Sequence, residues 1–262
     1  MENQVSTEVK KNKYLLVIAI YLLNQFVVSS LIIIIVARSY ANSNNLDYDY
    51  LYKLLAGLEP IKDATDNYLK AYRQIMGISN LITYTISIGF IIGLLYKDFK
   101  NDFISLREKP KFYALFIPIA AVAFTLISMG FDLLLKNVGN SNNQNTIVSI
   151  MKNGGAVPMI IAVVLMAPVI EEFVYRKTVF KLLDFAPIWV SYLVSTLFFA
   201  IPHMITTPID GNIGLWLLKL TPYLFAGASF SFIYHKTNNI YACIAVHMFN
   251  NLISVIFVFM GV

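Results

Sequence analysis

Long uninterrupted runs of apolar residues dominate this sequence and restrict the folds open to it. Seven segments carry few charges and approach the roughly 20 residues that cross a bilayer as a helix. They cover residues 14–37, 79–96, 113–135, 157–176, 187–205, 213–234 and 240–261. Backbone polar groups in lipid must be satisfied within a segment, so runs of this length predict helices. The sequence therefore predicts an all-α, polytopic transmembrane helical bundle with about seven spans, or eight if Pro222 divides the sixth segment.

Charge distribution sets the expected topology. Charged residues make up 13% of the chain, against about 25% in soluble domains. With a cytoplasmic N-terminus, twelve Lys and Arg residues fall in the inner regions and seven in the much longer outer ones. Short loops rich in Lys and Arg stay in the cytoplasm. The net charge of +5 is thus explained without a nucleic-acid partner. We expect a multi-pass protein of the cell membrane with an uncleaved first span.

Two regions follow from this layout. Residues 1–156 form a three-span N-terminal region whose outer, interfacial loop covers 38–77. We expect residues 157–262 to form a four-span core, which the motifs described below mark as the catalytic part. We expect residues 97–112 to be a basic inner loop and residues 137–156, rich in Asn, Ser and Gly, to be a linker.

Ionisable and polar side chains interrupt three of the last four apolar segments. Glu171 and Glu172 end the fourth, His203 lies in the fifth, and His247 and Asn251 lie in the seventh. An ionisable group within a span costs a few kcal/mol or more, so it is rare and usually functional. Together these residues predict one buried polar site.

Helical spacing divides the two glutamates. Glu172 and Arg176 are four residues apart and share a helix face, which predicts an ion pair. Glu171 points to another face and is left without a cation, as a general base near neutral pH requires. His247 and Asn251 also share a face, and Pro202 permits a kink that aims His203 into the bundle.

These groups suffice for hydrolysis. A glutamate can take a proton from water, imidazoles can orient that water, and an amide can donate to an oxyanion. Alternatively, Glu171, His203 and His247 could supply the three protein ligands of a catalytic zinc ion. No HExxH motif is present. The residues alone leave a zinc cofactor and no cofactor both open.

The motifs resemble those of the CAAX-protease and bacteriocin-processing family of intramembrane proteases, which includes type II CAAX prenyl endopeptidases. That family shows EExxxR, then FxxxH, then HxxxN or HxxxD. The corresponding residues here are Glu171, Glu172 and Arg176, then Phe199 and His203, then His247 and Asn251. The resemblance covers about residues 157–255. It implies that Glu171 and His203 activate water, that His247 and Asn251 form the oxyanion site, and that Glu172, Arg176 and Phe199 support them.

The resemblance also implies a substrate class. Eukaryotic members trim prenylated CAAX proteins, and bacterial members are linked to bacteriocin maturation, self-immunity and pheromone-peptide processing. A chain rich in Asn, Lys and Ile favours a bacterial member. The expected partners are a peptide or lipidated-protein substrate and membrane lipid. The alternatives are a non-catalytic binder, such as a bacteriocin self-immunity protein, and a proton-coupled transporter, although no repeated halves are found.

Overall fold

The computed structural model describes residues 2–152, 154–209 and 211–261, in which every regular element is helical. Six helices are long and apolar enough to cross a membrane, and one further apolar helix is shorter. In chain order, spans one to seven are Lys11–Asn44, Asp66–Glu108, Pro110–Leu134, Ala156–Leu182, the shorter Ile188–Met204, Ile213–Thr237 and Ile240–Met260. Helices Tyr48–Leu55 and Asn142–Lys152 and the 3-10 turn Ile61–Asp63 lie between spans. The prediction of an all-α, multi-pass bundle is confirmed.

Span two is much longer than its apolar segment. It continues to Glu108 past a kink at Leu95, where φ is −113° and ψ is 20°. Span three then begins at Pro110. The prediction of an inner loop at 97–112 is therefore wrong, because packing of an apolar stripe stabilises this stretch as a helix. Phe99 in that stripe stacks on Phe173 of span four with ring centroids 3.9 Å apart.

A helix also replaces the predicted linker at 137–156. The polar composition of Asn142–Lys152 concealed an apolar stripe in which Ile150 and Met151 are buried. They pack against Met159 and Val164 of span four. The stripe follows helical spacing, so packing rather than composition decides the structure here.

Pro222 does not divide span six, which is continuous from Ile213 to Thr237. A proline within a helix leaves the carbonyl four residues earlier without its backbone donor. Here that carbonyl belongs to Leu218, and the hydroxyl of Thr221 donates to it at 2.7 Å. The neighbouring threonine thus replaces the missing bond, which is how membrane helices tolerate proline. The eight-span alternative is wrong for the described residues.

Span four is the central helix. Half of its most apolar window is buried inside the bundle, against 6% for span one. Small residues let spans five and six, which are neighbours of span four, approach each other closely. A Cβ on Gly227 of span six would lie 2.9 Å from Cα of Thr196 in span five. Such contacts between small residues are typical of membrane helices, which associate by close packing.

A buried ion pair fastens one end of the bundle. Both carboxylate oxygens of Asp102 in span two accept bonds from Lys177 Nζ in span four, at 2.7 and 2.8 Å. Asp102 also accepts from the backbone N–H of Ile240 at 3.1 Å. Its carbonyl accepts from Asn239 Nδ2 at 2.6 Å. A single residue therefore ties span two to span four and to the start of span seven.

The segments predicted to be inner regions meet at this end. Lys11 pairs with Asp184 at 2.8 Å, and Lys13 pairs with Asp98. At the opposite end, the backbone N–H of Asn142 donates to Thr207 Oγ1 at 2.9 Å. The ends of successive spans thus alternate between two faces of the bundle, as a chain that crosses a membrane repeatedly requires.

We expect Asp102→Asn to lower the free energy of unfolding by about 3–5 kcal/mol, because it leaves the Lys177 charge buried without a partner. Asp184→Asn is the matched control. The side chains of Asp184 and Lys11 are 56% and 30% exposed. Those of Asp102 and Lys177 are only 9% and 5% exposed. An exposed pair contributes about 0–1 kcal/mol.

The measurement is thermal unfolding in detergent, followed with a thiol-reactive fluorogenic dye. The free cysteine Cys243 is buried and becomes accessible when the chain unfolds. Equal melting temperatures for the two variants would contradict a stabilising role for the Asp102 pair.

Candidate active site

Three charged side chains of span four form the centre of the site. Glu172 and Arg176 are fully buried, and Oε2 of Glu172 lies 3.3 Å from Nε of Arg176. Glu171 is less enclosed, with 15% of its side chain exposed. The predicted pair between Glu172 and Arg176 is therefore present, and Glu171 points away from it.

His247 of span seven lies between the two glutamates. Its Nδ1 is 2.8 Å from Oε1 of Glu172. A carboxylate only accepts, so Nδ1 carries the proton and donates. The other ring nitrogen, Nε2, lies 3.9 Å from Oε2 of Glu171. Glu172 thus fixes the orientation of the ring and directs Nε2 toward Glu171, as carboxylates commonly orient functional histidines.

Two aromatic rings enclose the Arg176 guanidinium. Its central carbon lies 4.5 Å from the ring centroid of Phe199 and 5.1 Å from that of Phe230. Nη2 donates to the carbonyl of Gly227 at 3.3 Å. Cation–π contacts of this kind are strongest where the charge is desolvated. Phe230 also stacks on His247, with centroids 4.6 Å apart.

His203 is held by its own helix and by span six. Nδ1 donates to the carbonyl of Phe199 at 2.8 Å, because a carbonyl only accepts. The ring stacks on Tyr223 with centroids 4.7 Å apart. The sequence suggested that Pro202 kinks a helix that continues past it, and the structure has no such helix. The α-helix ends at Ala200, and a 3-10 turn at Pro202–Met204 presents His203.

Asn251 compensates for a proline in span four. Residues Ile161–Met166 form a π-helical segment in which Ala167 N–H bonds to Ala162 O. The next carbonyl, that of Val163, would accept from residue 168, but Pro168 has no N–H. Asn251 Nδ2 donates to Val163 O instead, at 2.9 Å. One N–H of the Asn251 amide is therefore committed to the backbone, and the second remains for other partners.

Glu171 faces a small cavity that involves the N-terminal spans. Tyr21, Gln25 and Tyr84 line it together with Ala167, Ile170 and Glu171. The cavity borders a hydroxyl pair, since the Tyr21 and Tyr175 oxygens are 2.6 Å apart. The sequence did not indicate Tyr21 or Tyr84 as site residues, because the sequence of an apolar span does not show which groups a tyrosine hydroxyl contacts.

The structure therefore gathers the predicted residues from three spans around one centre. Glu171 and Glu172 both contact His247, and Arg176 pairs with Glu172. Phe199 joins the two histidines, with its centroid 4.8 Å from that of His203 and 6.0 Å from that of His247. Asn251 lies on the same helix face as His247, one turn further along.

The zinc alternative required Glu171, His203 and His247 to converge on one ion. Among the described residues, no group of three or more His, Cys, Asp or Glu side chains is placed to hold a metal ion. Each histidine is held through Nδ1, an arrangement that is compatible with a metal at Nε2, so only the lack of convergence disfavours zinc. The described donor set therefore does not converge as a zinc site requires.

The two glutamates differ in what their removal should do to stability. Glu172→Gln removes the anion that balances Arg176 and anchors His247, so we expect a loss of about 3–5 kcal/mol. Glu171→Gln makes the same chemical change at the neighbouring residue. It should alter the free energy of unfolding by less than about 1 kcal/mol, because Glu171 has no arginine partner. Thermal melting with the Cys243 dye distinguishes them. Similar melting temperatures for Glu172→Gln and the wild type would contradict the buried pair.

Part of the chain is similar to known proteins. The family model described as type II CAAX prenyl endopeptidase Rce1-like matches residues 153–253. An uncharacterized protein of Mycoplasma capricolum subsp. capricolum is 35% identical over 191 residues, which cover 66% of this chain and 54% of that protein. The UPF0177 protein YajF of Lactococcus lactis subsp. lactis is 25% identical over 176 residues, 64% of this chain and 81% of YajF.

No solved structure matches the chain. The match to the Mycoplasma protein spans about half of that relative's length. The family match contains all three motifs and covers most of spans four to seven. The resemblance predicted from the motifs is thereby confirmed, and residues 153–253 match the model of the Rce1-like family, a family of membrane proteases.

Proposed function

We propose that this protein is an intramembrane endopeptidase that uses Glu171 to activate water against a peptide bond of a small, lipophilic or membrane-associated peptide. One observation carries the proposal. Of two adjacent glutamates, Glu172 is neutralised by Arg176 and accepts a hydrogen bond from His247, and Glu171 lies beside a cavity and Nε2 of His247. Different environments across a carboxylate pair are how acid and base roles are divided.

The reaction follows from these roles. Glu171 takes a proton from water as the water oxygen bonds to the peptide carbonyl carbon, and the carbonyl electrons move to its oxygen. Collapse of this tetrahedral intermediate breaks the C–N bond, and Glu171 returns its proton to the amine. His203 has Nε2 free to orient the water. The products are a new carboxyl terminus and a new amino terminus.

The oxyanion needs donors during this step. His247 donates from Nε2 once that nitrogen has taken a proton, while Nδ1 stays bonded to Glu172. The second N–H of the Asn251 amide is the other candidate. One such donor is worth roughly 3 kcal/mol of barrier in other hydrolases.

Cleavage should depend on Glu171. Purified protein in lipid nanodiscs is incubated with a mixed set of hydrophobic peptides, half carrying a farnesylated cysteine, in water enriched in ¹⁸O. We expect ¹⁸O in new carboxyl termini, and a loss of at least about a hundredfold in rate for Glu171→Gln, because the amide cannot take a proton. Glu108→Gln, at an exposed helix end, is the control.

The two peptide arms distinguish prenylated from unmodified substrates. Full activity in Glu171→Gln would refute the proposed base, and absence of cleavage in the wild type would favour the non-catalytic binder. Elemental analysis of the same samples addresses the cofactor. Activity that is lost on chelation and restored by stoichiometric zinc would overturn the metal-free mechanism.

We propose further that the end of the bundle with the Asp102 pair faces the cytoplasm, since Lys and Arg in the short loops favour that side. Single cysteines replace Lys136 and Phe185, which lie at opposite ends, in a Cys243→Ala background. A membrane-impermeant maleimide on intact cells should label position 136, and position 185 only after permeabilisation. The reverse pattern would invert the orientation.

A further inference from the structure

Half of the residues that line the cavity beside Glu171 lie outside the family match. Tyr21 and Gln25 come from span one and Tyr84 from span two, whereas the match covers residues 153–253. The space open to a water-sized sphere is about 10 Å³. A buried water needs about 10–15 Å³ by this measure, together with two to four polar partners. The cavity therefore has the size of one water molecule and is too small for a peptide group.

The polar groups around the cavity have unused hydrogen-bonding capacity. The Tyr21 and Tyr175 hydroxyls share one bond, so one of their two hydrogens remains free to donate. No hydrogen bond between described residues involves the side chain of Gln25 or Tyr84. These groups line the same cavity as the Glu171 carboxylate. A water there can accept from a hydroxyl or amide and donate to Glu171.

The local backbone supports a specific placement of Gln25. Residues Asn24–Val28 form a π-helical turn, in which Ser29 N–H bonds to Asn24 O. Asn24 is buried and donates from Nδ2 to Thr83 O at 3.0 Å, which fixes this turn against span two beside Tyr84. Single π-helical turns within α-helices occur frequently at functional sites, because the extra residue redirects the following side chains.

We propose that spans one and two supply the attacking water, with Gln25 and Tyr84 as positioning residues that hold this water against Glu171 before it reaches His203 and the peptide. The proposal rests on the proposed function, since it assigns the source of the water that Glu171 deprotonates. Size favours water over substrate here, so these residues should affect the chemical step rather than peptide binding.

Kinetics on any cleaved peptide test the role. Tyr84→Phe removes one hydroxyl, and we expect kcat to fall about tenfold with KM unchanged. Tyr96→Phe makes the same change on the same helix at a side chain that is 62% exposed, and should stay within twofold of the wild type. Gln25→Leu should resemble Tyr84→Phe. A wild-type kcat in Tyr84→Phe and Gln25→Leu, or a rise in KM alone, would overturn the proposal.

The double variant provides a readout that a merely structural role would not give. If both side chains hold one water, removal of the second costs little once the first is gone, so the double variant should resemble the worse single variant. Multiplying effects on kcat would indicate two independent defects and contradict a shared water.

A structural test does not depend on activity. A high-resolution map of the wild type should show an ordered water within hydrogen-bond distance of Glu171 and of Tyr84 or Gln25, and the double variant should lack it. Absence of that water in the wild type overturns the proposal. An inactive wild type with the water in place would instead refute the proposed function and leave the water site standing.

Discussion

The charge of Glu172 is the constraint on which the rest of the site depends. A carboxylate with no exposed surface inside an apolar bundle must be compensated by neighbours. Arg176 supplies the opposite charge one helical turn away, and His247 donates from the facing span. Arg176 in turn needs the faces of Phe199 and Phe230, which come from spans five and six. One buried anion thus fixes how four helices meet and leaves Glu171 beside them without an arginine partner.

The sequence predicts those parts of the structure that depend on helical periodicity. The spacing of Glu172 and Arg176 indicates their pair, and long apolar runs indicate the spans. The three motifs in order also indicate that distant segments converge, as His247 and Glu172 do. These predictions succeed because each rests on residues of one helix or on the cost of leaving a polar group alone in lipid.

Contacts that depend on the choice between similar side chains could not be predicted. Nothing distinguishes Phe230, which stacks on His247, from the other 18 phenylalanines of the chain. Tyr21 and Tyr84 meet Glu171 only because spans one and two pack beside span four. The helix at Asn142–Lys152 was missed because its polar residues outweigh a narrow buried stripe. Each of these features is decided by tertiary packing, which the local sequence does not encode by itself.

The bond from Asn251 to the Val163 carbonyl couples the effects that substitutions at positions 168 and 251 have on stability. Pro168 creates the unmet acceptor, and Asn251 meets it. An alanine at position 168 would return the backbone N–H and release the amide, whereas a change at position 251 alone would leave a carbonyl unsatisfied within the bundle. The tolerance of either residue to substitution is therefore conditional on the other. Without Pro168, the Asn251 amide would be free for another partner.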